Sequence, residues 1–277
     1  MLQIDLQDLF SLNKKNALVT GGGTGLGRVI TETLAKAGAK VFICSRKYVN
    51  VKMTADEINE ALGKNLVFPF DGDISSEGGI KNICEFINSN TQQLDILINN
   101  SGATWGEELG KFPYSAWKKV LDVNITGLFH LTQSLLDILE KSGMPNDPSR
   151  IINLGSVMGS APYGDGPYSY SASKAAVHHI TKILAKELGP RNITVNAFAP
   201  GPFESKMTKF AFSTEEKERA MAKSIPLRRT GKPLDIAAAT LYLCGKGGGY
   251  VTGTILPLDG GIHVDTGPEL FEPAKEN

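Results

Sequence analysis

The sequence predicts an α/β fold in which one doubly wound, parallel sheet of seven strands is covered by helices on both faces. Short apolar and β-branched runs alternate along the chain with longer amphipathic stretches, a pattern typical of repeated strand–helix–strand units. A glycine-rich turn joins the first apolar run to the first amphipathic stretch. Both features favour a parallel sheet, because parallel strands need helical crossovers.

Seven runs have the length and composition of buried strands, and several segments between them have helical spacing. The predicted strands are residues 16–19, 40–44, 65–70, 94–98, 150–154, 194–198 and 254–257. The predicted helices include residues 25–37, 115–141, 169–188 and 233–244. Residues 142–149 are a polar, turn-rich connector, and the tail after His263 has no apolar periodicity.

The composition indicates one soluble globular domain over residues 1–277, with a core of about residues 14–263 and extensions at 1–13 and 264–277. Of the residues, 41% are hydrophobic and 21% are charged, which excludes a disordered or fibrous chain. The 29 lysines and arginines balance the 29 aspartates and glutamates. The chain therefore carries no net charge that would favour nucleic acid or a membrane as a partner.

Neither the cysteines nor the histidines have the spacing of a metal site, so no metal is expected. The three cysteines lie far apart in apolar segments and are interpreted as reduced core residues; they are Cys44, Cys84 and Cys244. The adjacent His178 and His179 should point to different faces of a helix. Residues 1–15 contain no apolar run of signal-peptide length, which favours a cytoplasmic protein.

A glycine-rich segment, Thr20 to Gly27, follows the first predicted strand and opens the first predicted helix. Glycines at this place let backbone N–H groups approach a diphosphate, whose charge is favoured at a helix N-terminus. The segment therefore predicts a dinucleotide site on a Rossmann-type sheet, although a glycine-rich turn without a ligand has the same composition. The candidate contacts in it are Gly21, Gly23, Thr24, Gly25 and Leu26.

The end of the second strand indicates which dinucleotide binds. An acidic residue about 20 positions after the glycines would bind a free ribose 2′-hydroxyl. This chain instead has Ser45, Arg46 and Lys47 there, whose hydroxyl and cations can bind a 2′-phosphate. NADP(H) is therefore favoured over NAD(H). The alternative is that Arg46 and Lys47 only begin a solvated helix.

Tyr170 and Lys174 are four residues apart on a predicted helix, which places the phenol and the amine on the same face. A free tyrosine titrates near pH 10, and a fixed positive charge nearby favours its ionised form. Lys174 could thus adjust the pKa of Tyr170 so that the phenol acts as a general acid or base. Such pairs also occur on exposed helices with no function.

Two further polar residues stand where a catalytic group would be useful. Ser156 follows the strand at 150–154, at the carboxyl end where ligands bind in such sheets, and its hydroxyl can donate to a carbonyl oxygen that gains charge. It could also simply cap a loop. Asn124 is a polar residue in an apolar helical stretch, where it either bends the helix or holds a water.

From Asn16 to His263 these motifs, in this order, resemble the short-chain dehydrogenase/reductase family. The matching elements are the glycine turn, Asp73-Ile74, the segment 99–102, Asn124, Ser156, Tyr170 with Lys174, and Pro200-Gly201. Two departures are small. Ser101 replaces the usual alanine of the 99–102 motif, and Ser156 lies fourteen residues before Tyr170, slightly more than usual.

The resemblance implies an NADPH-dependent enzyme that interconverts a carbonyl and an alcohol. Tyr170 would transfer the proton, Lys174 would bind the nicotinamide ribose and lower the phenol's pKa, and Ser156 would orient the carbonyl. Asn124 would support a water in a proton relay. Further cofactor contacts would come from Asp73, Ile74, Asn100, Gly102, Pro200, Gly201 and Phe203.

The substrate should lie among residues 105–106, 158–167 and 203–230, which are rich in apolar side chains. Its candidate contacts are Trp105, Ser156, Met158, Tyr163, Tyr170 and Met207. Similarity around 105–106 and 199–208 to 3-oxoacyl reductases of rhamnolipid pathways favours a 3-oxoacyl thioester. Another ketone, a polyol or a steroid-type alcohol stays open, as does a non-catalytic sensor that binds NADP(H).

The expected partners are the small-molecule substrate and copies of the chain itself. Four cations could dock an acidic carrier protein that holds the acyl chain, or they could form an ordinary solvated face; they are Lys206, Lys209, Arg228 and Arg229. The resemblance also implies a homotetramer or homodimer built through the helices predicted over 115–141 and 169–188, with the last strand at another interface.

Overall fold

A seven-stranded sheet organises the protein, and the computed structural model describes it over residues 5–205, 208 and 212–265. All strand pairs are parallel, in the order β3-β2-β1-β4-β5-β6-β7, which confirms the predicted fold class. The strands are β1 Asn16–Thr20, β2 Lys40–Ser45, β3 Val67–Asp71, β4 Ile96–Asn99, β5 Ser149–Leu154, β6 Ile193–Pro200 and β7 Ile255–Leu258. The order reverses between β1 and β4, so a ligand crevice opens at their carboxyl ends.

Ten α-helices lie in the described ranges and cover both faces of the sheet. They are α1 Leu6–Phe10, α2 Gly25–Lys36, α3 Tyr48–Leu62, α4 Glu77–Asn90, α5 Tyr114–Leu121, α6 Leu128–Ser134, α7 Leu136–Ser142, α8 Tyr168–Leu188, α9 Glu215–Lys223 and α10 Pro233–Cys244. No helix within those ranges has both the length and the apolar content needed to cross a bilayer.

Two apolar cores form, one on each face of the sheet. Along β1, Ala17 and Val19 pack into one core and Leu18 packs into the other, because successive side chains of a strand point to opposite faces. The first core is completed by α2, α3 and α10, and the second by α4, α6, α7 and α8. Burial on both faces explains why the strands are continuous apolar runs.

The helix predicted over 115–141 is not continuous. It consists of α5, a π-helical turn at Asp122–Gly127, then α6 and α7. The π turn contains Asn124. Its side-chain oxygen accepts from the main-chain N–H of Ala103, and its side-chain nitrogen donates to the main-chain oxygen of Ala103. A π turn inserts an extra residue into a helix, and here it lets this amide reach a neighbouring segment.

The third strand begins later than predicted, at Val67 rather than at residue 65. The side-chain oxygen of Asn59 accepts hydrogen bonds from the main-chain N–H groups of Leu66 and Val67, 2.9 Å each. This amide holds the entry to the strand. At the N-terminus, residues assigned to an extension contact the body of the protein: Leu12 is buried in the first core and Asp8 pairs with Lys246.

Candidate active site

The glycine-rich turn lies directly after β1, at the point where the strand order reverses. α2 begins at Gly25, with Thr24 as its extended N-cap residue, and Gly21 has a φ of +67°. A Cβ on Gly27 would stand 2.3 Å from the main-chain oxygen of Gly21, so only glycine permits this close packing of turn and helix. Leu26 is half-buried against the first core, and Gly23 packs against Asn50 of α3.

The segment after β4 fixes the shape of this turn. The side-chain nitrogen of Asn100 donates to the main-chain oxygens of Thr20 (2.8 Å) and Gly21 (3.1 Å). The Thr20 hydroxyl in turn accepts from the main-chain N–H groups of Asn100 and Ser101, at 3.0 Å each. The Asn100 amide therefore shapes the glycine turn.

A cavity of about 250 Å³ opens at the ends of β2 and β3, with Arg46, Asp71 and Asp73 among its lining residues. Arg46 is exposed there, as a residue that binds a phosphate must be. The Ser45 hydroxyl bonds the main chain of Lys47, and one Asp73 oxygen accepts from both the N–H and the hydroxyl of Ser75. The side chain of Ile74 is buried in the second core.

Lys174 is the most unusual charged group of the site. Its side chain is buried, with its Nζ donating to the main-chain oxygen of Leu154 at 2.5 Å. The same nitrogen lies 5.5 Å from the centroid of the Tyr170 ring, so the two residues share a helix face as predicted. Burial lowers the pKa of Lys174 to about 8, because a charged amine is poorly solvated there.

The pKa of Tyr170 is shifted in the opposite direction from the one expected. Burial raises the pKa of its phenol, and a hydrogen bond with the Ser156 side chain offsets this only in part. The net shift is therefore opposite to the predicted lowering, and the Lys174 amine donates to the main-chain oxygen of Leu154. The phenol is therefore protonated at neutral pH and holds the proton that a reduction would use.

Ser156 lies just after β5 and is buried. Its hydroxyl oxygen accepts from the main-chain N–H of Met158 (3.2 Å), so the residue does cap the following turn, Val157–Gly159. This bond uses an oxygen lone pair and leaves the hydroxyl proton for Tyr170 or for a ligand. Capping and carbonyl binding are thus compatible.

Asn124 connects three parts of the site. Its oxygen accepts from the N–H of Ala103 (2.8 Å), and its nitrogen donates to the oxygen of Ala103 (3.0 Å) and to the hydroxyl of Ser173 (2.8 Å). Of the two sequence alternatives for Asn124, the bend is present as the π turn. The residue joins that turn to the segment after β4 and to α8.

His178 is a site residue that no sequence motif marks. It is buried on α8 whereas His179 is exposed, as expected for adjacent helical residues. Its Nε2 accepts a 3.4 Å hydrogen bond from the main-chain N–H of Ser156. Burial, then Lys174 and Lys182, lower its pKa to about 4, so the ring is neutral and Nε2 can accept.

The expected substrate residues differ in how they are placed. Trp105 is 37% exposed with the Lys119 amine 5.0 Å from its ring centroid, and Met158 is half-buried. The Tyr163 hydroxyl donates to the main-chain oxygen of Ile262 at 2.9 Å. Met207 lies outside the described residues.

The segment after β6 carries the remaining predicted cofactor contacts. Pro200 ends the strand, and the N–H of Gly201 donates to the oxygen of Leu258 at 3.0 Å. The Phe203 ring packs against Gly231 in the first core, so its side chain serves packing. After β4, a Cβ on Gly102 would lie 3.8 Å from the Lys174 amine.

Comparison with known proteins agrees with this geometry. The sequence profile described as Enoyl-(Acyl carrier protein) reductase matches residues 21–263. A curated relative, the rhamnolipids biosynthesis 3-oxoacyl-[acyl-carrier-protein] reductase of Pseudomonas aeruginosa, is 41% identical over 92% of this chain and 98% of its own. The chain belongs to the short-chain dehydrogenase/reductase family. The resemblance seen in its motifs is thereby confirmed, and the protein is an oxidoreductase.

Solved structures show the same fold. The Pseudomonas aeruginosa RhlG/NADP active-site complex superposes with a TM-score of 0.89 at 41% identity, covering 92% of this chain and 99% of that one. A short-chain type dehydrogenase/reductase from Mycobacterium marinum gives 0.85 at 28% identity, covering 93% and 99%. The family's cofactor and catalytic motifs thus occur on a matching framework.

Replacing Lys174 by methionine tests whether the lysine is buried, because burial of its charge changes how the free energy of unfolding depends on pH. The folded-state pKa of about 8 lies below the ordinary 10.5, so the folded protein bears the cost of the buried charge below pH 8 and loses that cost as pH rises to 10.5. The free energy of unfolding of the wild type, minus that of Lys174→Met, should therefore increase by roughly 2 kcal/mol between pH 7 and pH 10. Urea denaturation at both pH values measures it. Lys186→Met, at an exposed lysine of α8, is the control, and an equal difference at both pH values for Lys174→Met would contradict the account.

Proposed function

We propose that this protein uses NADPH to reduce the keto group of a 3-oxoacyl thioester to a secondary alcohol. The observation that carries the proposal is the grouping of a protonated phenol, a buried hydroxyl and a buried amine at the carboxyl ends of the strands. These are the side chains that a carbonyl reduction needs, one to orient the oxygen, one to protonate it and one to bind nearby polar groups.

The residues fit a dinucleotide. Residues 21–23 are glycines and leave the main chain of the turn bare, and Gly27 packs on Gly21 where a Cβ would not fit, so a diphosphate can approach the start of α2. Arg46 in its cavity supplies a cation for a 2′-phosphate. When bound, NADPH would supply the hydride that goes to the carbonyl carbon.

The protein's side chains act on the carbonyl oxygen. The Ser156 hydroxyl would donate to that oxygen, where negative charge grows during the reaction, and would stabilise the transition state more than the ground state. Tyr170 would transfer its phenolic proton to the same oxygen, completing the alcohol. Lys174, held by the Leu154 carbonyl, would present its remaining N–H groups to the cofactor ribose and to the phenolate left behind.

Two observations support the thioester. The 41% identical relative is named a 3-oxoacyl-[acyl-carrier-protein] reductase, and Trp105, Met158 and Tyr163 give the described loops an apolar character.

The proposed docking of a carrier by four cations needs one correction. Arg229 already forms a two-bond ion pair with Asp235 (2.6 and 2.9 Å) and is not available, while Lys206 and Lys209 lie outside the described residues.

We also propose that the chain acts as a single domain within a homotetramer or homodimer in the cytoplasm. Ile183 on α8 and Tyr114 on α5 are exposed, and β7 is a partly exposed edge strand, which supports contacts between copies. The free thiols of Cys44, Cys84 and Cys244 support a reducing compartment. Light scattering tests the assembly, and a monomer would contradict it.

Tyr170→Phe removes the proposed proton donor. We expect kcat for NADPH-dependent reduction of a 3-oxoacyl coenzyme A thioester to fall about 10²- to 10⁴-fold, with the Kd for NADPH little changed. Tyr168→Phe is the control, since Tyr168 starts the same helix and packs on Phe112. Undiminished turnover in Tyr170→Phe would refute the mechanism. A wild type that reduces other ketones but no 3-oxoacyl thioester would refute the substrate assignment only.

Arg46→Ser tests the choice of cofactor. Loss of one charge-assisted contact should raise the Kd for NADPH about tenfold and leave the Kd for NADH unchanged. Isothermal titration calorimetry measures both values. Arg28→Ser is the control, because Arg28 pairs with Glu57 on an exposed face. An equal change for both cofactors would mean that Arg46 does not recognise the 2′-phosphate.

A further inference from the structure

A second cavity, of about 380 Å³, lies between the end of α9 and the last turn of the described chain, Ile262–Val264. Its lining includes Lys223, Arg228, Val264 and Asp265. Ile225 and Pro226 give it apolar walls. The cavity is therefore suited to a ligand that carries an anionic group on an organic chain.

The backbone of Arg228 is strained at this cavity. Its φ is +53°, in the left-handed region that glycine adopts freely and that other residues adopt at a cost. Its guanidinium donates to the main-chain oxygen of Lys223, the last residue of α9. A strained residue that places a cation in a cavity suggests a binding role.

Among the described residues, the two cations differ from their neighbours in having no carboxylate partner. Arg229 pairs with Asp235, and Lys232 pairs with Glu218. Within the described part of the chain, neither Lys223 nor Arg228 forms a salt bridge. Against these two positive charges, the cavity lining contains one acidic residue, Asp265. The described lining is therefore positive overall and favours an anion.

A hydrogen bond connects a loop of the active site to the turn beside the cavity. The Tyr163 hydroxyl, on the loop that precedes Tyr170, donates to the oxygen of Ile262 in the turn that borders the cavity. The N–H of Leu227 donates to the oxygen of Gly260, which joins the cavity segment to the chain after β7. One extended substrate could thus contact both places.

We propose that this cavity binds the phosphate of the pantetheine arm that carries the acyl group. The inference rests on the proposed function, since thioesters of coenzyme A and of carrier proteins both hold the acyl chain on such an arm. Arg228 and Lys223 would bind the phosphate through charge-assisted hydrogen bonds, and Ile225 and Pro226 would contact the arm. The keto group at the far end would lie at Ser156 and Tyr170.

The test compares two substrates that differ by one phosphate, a 3-oxohexanoyl thioester of pantetheine and the same thioester of 4′-phosphopantetheine. The measured quantity is the ratio of kcat/KM for the phosphorylated over the unphosphorylated substrate. In Arg228→Gly and in Lys223→Gln this ratio should fall about tenfold from the wild-type value, the effect of one charge-assisted hydrogen bond. Arg219→Gln is the matched control, because Arg219 pairs with Glu215 on the exposed side of α9.

Arg228→Gly also separates binding from folding. Glycine relieves the strain at φ +53°, so this variant should have a higher Tm than the wild type while its phosphate preference is lost. Arg228→Lys keeps the charge and should keep most of the preference. Measuring kcat/KM of the same variants with coenzyme A and carrier-protein thioesters shows which natural source uses the cavity. A fall in kcat/KM with either substrate supports the proposal.

An unchanged ratio in both Arg228→Gly and Lys223→Gln would overturn the cavity assignment and leave the proposed function intact. A wild-type protein that reduces neither pantetheine thioester would overturn the proposed function, and the cavity assignment with it. The two failures are therefore distinguishable in a single set of assays.

Discussion

A single buried amine is the constraint on which the rest of the site depends. The Lys174 side chain has its nitrogen in a poorly solvated environment, and its hydrogen bond to the Leu154 carbonyl fixes α8 against the end of β5. The contact needs a close approach of the two elements. A Cβ on Gly155 would stand 2.4 Å from Nε2 of His178, so any larger residue would push the helix away.

Hydrogen bonds on the neighbouring elements keep this arrangement fixed. Asn124 bonds both main-chain groups of Ala103 and the hydroxyl of Ser173, which lies next to Lys174 on α8. His178 accepts from the main chain of Ser156 on the other side of the amine. Buried polar groups are costly unless they are bonded, so this network selects one position for the helix, the serine and the amine. A site organised in this way is ready before the substrate arrives.

The sequence predicted the features that depend on local patterns. Strands buried on both faces must be apolar runs, so all seven were found, with shifts of a few residues at their ends. The pairing of Tyr170 with Lys174 follows from helical spacing alone. Features that depend on distant contacts were not predictable. The Asn124 side chain in the π turn bonds to Ala103, 21 residues earlier, and the role of His178 depends on Ser156, 22 residues earlier. The direction of the Tyr170 pKa shift depends on burial, which spacing does not reveal.

The most direct test of this account is the ionisation of Lys174 itself. NMR of the protein with ¹³C-labelled lysine side chains, titrated from neutral to alkaline pH and assigned with the Lys174→Met variant, measures the pKa of that one amine. The account predicts a pKa of about 8, because the amine is buried and forms no ion pair with a carboxylate in the part of the chain that the structure describes. A pKa at the ordinary lysine value of 10.5 would show that the amine is solvated, and would contradict the central claim.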